Sequence, residues 1–215
     1  PQESFTQVIS QQRALTPPMQ AKGIELDRTR DPNIDYYAFN MRDPTVGGYT
    51  LRQRRLRQAI SMAIDTQAEL DLFNSGLGMP AQFLIPPGIF GYEKRFRNPY
   101  HHFNVQAAKR LLVEAGFPGG VDSQTGERLT LYYDNAATTP AGRQSVLFVM
   151  KQFDRLGIHL VSRTSRREVW QDRVDKGQFQ FIRYGWLADY PDPEDFVLLL
   201  YGPNRRPGPN SAAYD

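Results

Sequence analysis

The residues best equipped for chemistry lie in one stretch, Phe181-Ile-Arg-Tyr-Gly-Trp-Leu-Ala-Asp-Tyr-Pro-Asp-Pro-Glu-Asp-Phe196. A guanidinium at Arg183 and a carboxylate at Asp189 stand at the end of an apolar, β-prone run. So placed, they could clamp the two ends of a short zwitterion by charge-assisted hydrogen bonds. Asp189 has a plainer reading too, as the acceptor of its own turn ahead of Pro191. Asp189, Asp192, Glu194 and Asp195 form a dense carboxylate group that could serve a hard cation or a glycosidic acid/base pair. Acidic residues at a helix start are explained more simply by the helix dipole. His101 and His102 are adjacent and His159 stands alone, so the histidines lack metal-ligand spacing. The chain has no cysteine, which removes thiolate chemistry, disulfides and cysteine metal sites. It also has no G-x-S-x-G elbow, Walker loop or dinucleotide fingerprint. No catalytic residue, metal ligand or cofactor is assigned, and the hydrolytic reading of residues 189–195 is kept only as a rival to binding.

The elements that must position these residues read as α/β. Strand-like runs at Leu129–Asp134, Ile158–Arg163 and Phe179–Tyr184 alternate with helical patterns at Pro140–Leu156 and Ser165–Asp175, which implies helices packed on a largely parallel sheet. Further strands are expected over Ile24–Thr29 and Ile34–Met41. A helix opens at Thr50 with Gln53 three residues on, a capping box, and buries Leu56, Ala59, Ile60, Ala63 and Ile64 as one stripe. A short helix follows to Phe73, closed by residues that tolerate positive φ, and another runs from the Asn104 cap to Gly116. Phe5, Val8 and Ile9 suggest a helix ending before Pro17. In open α/β sheets, ligands gather beyond the carboxyl ends of the strands. Asn135–Pro140 and Gly185–Asp189 both lie there, which makes Asn135 a candidate polar contact.

Several landmarks carry a family resemblance. Gly185-Trp-Leu-Ala-Asp-Tyr-Pro-Asp-Pro193 resembles the "GWxxDYxDP" signature of peptide and oligopeptide solute-binding proteins of ABC importers (family 5). Leu56 to Asp65 resembles the "VRQAISxAID" helix of that family, Gly76 to Ala81 its "GxGxPA" turn, and Ala107 to Gly116 its "AKxLLxEAG" helix. The resemblance implies a periplasmic-binding-protein-like lobe with a mixed, largely parallel sheet flanked by helices. It also implies roles: Asp189 would pair with the α-ammonium of a bound peptide and Arg183 would face peptide carboxylate. Gly185 and Leu187 would lend main-chain groups to an extended ligand, and Trp186 would wall a side-chain pocket. Dipeptide-type relatives carry an arginine in the loop where this chain has Asn135-Ala-Ala-Thr-Thr139, so strict dipeptide specificity is not expected. The framework also serves nickel chelates, sugars and opines in relatives, so non-peptide cargo stays open.

By the same resemblance, residues 1–42 are expected to return from a missing lobe. Residues 43–215 would form the C-terminal ligand-binding lobe, cut short in Asn210 to Asp215. Pro1 is not a start methionine and no charged n-region with an apolar h-region follows it, so a secretory signal is expected to have been removed or to lie outside this sequence. The expected setting is extracytoplasmic, in the periplasm or held at the cell surface by a lipid anchor. The expected partners are a small solute, a peptide first, and the permease subunits of an importer, with the receptor a monomer. The formal charge is only +3, from 26 basic and 23 acidic residues, which gives no strong field for nucleic acid. Arg52, Arg54, Arg55 and Arg57 interleave with the apolar stripe of their helix and read as a solvated face.

Overall fold

The structure is a computed structural model in which residues 8–10, 14–27, 29, 31–74, 76–205 and 208–215 are described. Helices are α1 (Pro17–Gln20), α2 (Leu51–Ala63), α3 (Thr66–Phe73), α4 (Val105–Glu114), α5 (Pro140–Asp154), α6 (Arg167–Asp175) and α7 (Glu194–Val197). Strands are β1 (Asn33–Phe39), β2 (Thr130–Asn135), β3 (His159–Thr164) and β4 (Phe181–Leu187). The chain divides into two compact units, Pro1–Asp31 with Thr66–Pro80 and Pro32–Asp65 with Ala81–Asp215.

The smaller unit holds α1 and α3. The prolines of α1 occupy its first turn, where a missing N–H costs nothing and φ is preset. Beyond α3, Gly76 and Gly78 take φ of 64° and 98°, the positive values expected at this helix end. The helix expected over Phe5 to Ile9 falls mostly outside the described residues. The strand expected over Ile24–Thr29 does not form in residues 24–27 and 29, because β-prone side chains make a strand only where a neighbouring ladder receives them.

The larger unit is built on a sheet of order β1-β4-β2-β3. β2 runs parallel to both β3 and β4, while β1 is antiparallel to β4, so the sheet is mixed and mostly parallel. β1 pairs with β4 along its whole length, Asn33 opposite Leu187 and Phe39 opposite Phe181. A division at residue 42, drawn from sequence, therefore falls inside this unit. Helix α5 carries the chain from β2 to β3 on one face, and α6 carries it back past β2 to β4 on the other.

The main core lies on the α5 face. There Leu56, Ala59 and Ile60 of α2, Leu112 of α4, and Val149 and Phe153 of α5 close over Leu131, Leu160 and Phe181. Phe181 is its centre, with its ring stacked on Tyr37 at 5.3 Å and tilted against Phe39, Tyr133 and Phe153 at 5.2–5.3 Å. On the opposite face Trp170 and Val174 of α6 cover Ala38 and Ile182. Asp134 ties the layers together: wholly buried on β2, its carboxylate pairs with Arg163 of β3 and Arg173 of α6.

Candidate functional site

The site is defined by where β4 outruns its neighbour. Pairing of β2 with β4 ends at Asp134 opposite Ile182, whereas β1 accompanies β4 to Leu187. Ala188 donates its N–H to the Pro32 carbonyl, and Asn40 donates to the Gln180 carbonyl. Backbone groups alternate sides along a strand, so even-numbered residues of β4 face β1. Gly185 and Leu187 then present N–H and C=O to the opposite side, where no described strand pairs with them. This is a short open edge beside the loop that leaves β2, able to receive one extended chain by main-chain hydrogen bonds.

The acidic end of this edge is a tight turn. Asp195, 1% exposed, accepts the Asp189 N–H at 2.8 Å, and Asp192 accepts the Glu194 N–H at 2.8 Å. Two of the four carboxylates are thus engaged in ordering the backbone. No group of three or more His, Cys, Asp or Glu side chains among the described residues is arranged to hold a metal ion. The Asp189 carboxylate is exposed and makes no hydrogen bond or ion pair with a described residue. The hydroxyl pKa of its neighbour Tyr190 is raised above the usual 10.0, first by desolvation and then by the carboxylates of Glu194, Asp195 and Asp192.

Arg183 is half-buried on the α5 face of β4, with Nη2 at 3.9 Å from Asp35 Oδ2 across the β1 boundary. Asp35 lies opposite Gly185, and a Cβ added to Gly185 would stand 2.9 Å from its Oδ1, so the carboxylate overhangs the glycine. Trp186 turns to the other face, where it packs on Ile34, Ile85, Ile89 and Phe196 with its indole N–H buried and unpaired. Arg183 and Trp186 therefore flank the edge from opposite faces.

Asn135 departs from the sequence-based expectation. Its amide nitrogen donates to the Tyr133 carbonyl and Ser162 Oγ, and its oxygen accepts from the Ala137 N–H and Thr164 Oγ1. With this capacity used internally, Asn135 fixes the loop between β2 and α5 and offers a ligand little. Sequence reading missed Asp35 and the separate task of Asp195. Asp195 appeared only as one acid in a cluster, and nothing in sequence links Asp35 to Arg183, because their proximity depends on β1 register.

The arginines of α2 are not a simple solvated face. Arg52 pairs with Asp122 at 2.6 Å and lies over the Phe117 ring, Arg55 pairs with Glu114 at 2.8 Å, and Arg57 donates to the Val46 carbonyl. These contacts anchor the helix.

Comparison with known proteins places this architecture. The pattern of "Bacterial extracellular solute-binding proteins, family 5 Middle" matches residues 6–208. The chain belongs to family 5 of these solute-binding proteins. Among relatives, Heme-binding protein A of Haemophilus influenzae is 23% identical over 192 residues, covering 89% of this chain and 33% of that protein. The Dipeptide-binding protein of Escherichia coli is 25% identical over 182 residues, covering 85% and 32%. The structure of the periplasmic binding protein DppA from Helicobacter pylori, solved in complex with peptide STSA, superposes with a TM-score of 0.73 at 20% identity over 92% of this chain and 36% of that one. The chain thus spans about a third of the length of these proteins. Among the described residues, no helix is long and apolar enough to cross a membrane.

Proposed function

We propose that this chain is the ligand-gripping lobe of a two-lobed, extracytoplasmic receptor that hands a short peptide to the permease of an ABC importer. The observation that carries the reading is the open edge at Gly185 and Leu187, ending in the exposed carboxylate of Asp189. An extended ligand would add as a strand along that edge, held by main-chain groups that read no side chain. Its ammonium would meet Asp189 beside the carboxylates of Asp192, Glu194 and Asp195, and Arg183 would stand toward its other end. Trp186 would bound the ligand from the α6 face. A second lobe closing over the ligand would complete the enclosure, with binding favouring the closed form. The receptor acts by binding, without turnover, as a monomer, in the periplasm or at the cell surface.

Titration calorimetry on the full-length protein tests this. Short peptides with a free amine should bind, N-acetylation should weaken them, and Asp189→Ala should cost roughly tenfold or more, the worth of a charge-assisted hydrogen bond. Unchanged affinity for free-amine peptides in Asp189→Ala would remove the ammonium role.

A non-peptide solute is the second reading. It is favoured by the uncharged loop Ala136-Ala-Thr-Thr139 and by a relative named for heme. Mass spectrometry of the solute that co-purifies with the full-length protein separates the two.

A further inference from the structure

The geometry points to Arg143 as the residue that receives the carboxylate of the ligand, so that the open edge takes peptides of about three or four residues with a free C-terminus. This rests on the peptide reading above and deepens it by naming the ligand class.

Arg143 closes the first turn of α5, its N–H bonded to the Thr139 carbonyl. Helical side chains lean toward the N-terminus of their helix, which here means toward the carboxyl ends of the strands. Arg143 Nη1 donates to the Thr138 carbonyl at 2.7 Å, so the guanidinium turns back over the loop between β2 and α5. That loop is itself fixed: the Ala137 N–H donates to Asn135 Oδ1, the Thr138 N–H to the Ala136 carbonyl, and the Gly142 N–H to Thr139 Oγ1. A long exposed side chain is thereby held in place before any ligand arrives, which lowers the ordering cost of binding. The bond to Thr138 leaves the other N–H groups of the fork available, and no carboxylate of a described residue pairs with this cation.

The loop stands where a ligand on the edge would end. Ala136 packs on the cluster that holds Ile182 and Trp170, and Ala137 on the main core of the α5 face. The loop therefore straddles the point at which β4 leaves β2, whose last pair is Asp134 with Ile182. A strand added at Gly185 and Leu187 runs from Asp189 to this loop and no further, because β2 occupies the ladder beyond it. Extended backbone from Gly185 to Asp189 covers roughly 13 Å, the span of about four residues. A peptide of that length, antiparallel to β4 with its ammonium at Asp189, brings its carboxylate to the loop beside Arg143. Arg183, the other cation toward this end, already has Asp35 at 3.9 Å, so its charge is partly offset. Closure of a second lobe would exclude water from the Arg143–carboxylate pair and strengthen it.

The test measures, by calorimetry on the full-length protein, alanine–glycine peptides of three, four and six residues, each as free acid and as C-terminal amide. In the natural sequence the shorter acids should bind about three- to tenfold more tightly than their amides, the worth of a charge-assisted hydrogen bond at a partly exposed site. The six-residue peptide should show no such preference, because its carboxylate overshoots the edge. Arg143→Gln and Arg143→Met should bring the ratio for the shorter peptides to about one, and Arg143→Lys, which keeps the charge without the planar fork, should fall between. A merely structural Arg143 would weaken acid and amide alike and leave their ratio unmoved. Equal binding of acid and amide by the natural protein, an unmoved ratio in both uncharged variants, or a preference as large at six residues overturns the role of Arg143 while peptide binding stands. If neither acid nor amide binds at any length, the peptide reading falls and takes this inference with it.

Discussion

Asp195 shows how a carboxylate can serve a site without touching its ligand. Nearly inaccessible to solvent, it accepts the Asp189 N–H, which fixes the backbone from which the exposed Asp189 carboxylate projects. Asp195→Ala should destabilise the protein by about 1–3 kcal/mol in denaturant unfolding, because a backbone donor loses its partner. Asp195→Asn keeps an acceptor of the same shape and should cost less. Its effect should appear instead as a smaller preference for free-amine over acetylated peptide, read by calorimetry. At this scale the sequence showed which residue types were present but not their assignments. Asn135 had the right type and place for a ligand contact, yet Ser162 and Thr164, both on β3, take its amide. Strand adjacency decided that, and local sequence does not encode it.

Among the elements, the helix signals transferred almost unchanged. The Thr50–Gln53 capping box forms as read, Asn104 caps α4, and Pro140 opens α5. Caps and apolar stripes are local, so a few adjacent residues suffice to specify them. β4 was harder to delimit: its β-prone residues stop at Tyr184, yet the strand continues through Gly185 to Leu187 because β1 supports it. Gly157 marks the same limit. It reads as the cap of α5, and its φ of 79° fits that. A Cβ there would also stand 2.1 Å from the Gly119 carbonyl oxygen, as one on Gly120 would stand 2.3 Å from the Gly157 oxygen. Gly157→Ala should therefore cost more than the roughly 1 kcal/mol of a left-handed conformation alone, about 2 kcal/mol or more by chemical denaturation, since two backbones must part.

The larger unit as a whole carries a pH dependence set by burial. Desolvation holds the imidazole of half-buried His101 below its ordinary pKa of 6.5, so the folded protein resists a proton that the unfolded chain accepts. Stability should thus be full above about pH 6.5 and fall as pH drops through that value, levelling off once pH passes below the folded-state pKa. Thermal midpoints measured between about pH 7.5 and 5.5 should show this slope, and His101→Gln should flatten it. A midpoint that rises on acidification over this range would contradict the burial argument.

By itself the sequence determined the α/β alternation, the helix caps, the apolar stripes and the signature stretch from Gly185 to Pro193, because each depends on neighbours a few positions away. Tertiary structure alone decided that β1 joins the larger unit, that β2 stops short and leaves Gly185 and Leu187 unpaired, that Asn135 is spent on β3, and that Asp35 meets Arg183. Each of these is a pairing across more than twenty positions of chain. Such pairings follow from strand register, which is fixed when two faces of a sheet are buried together.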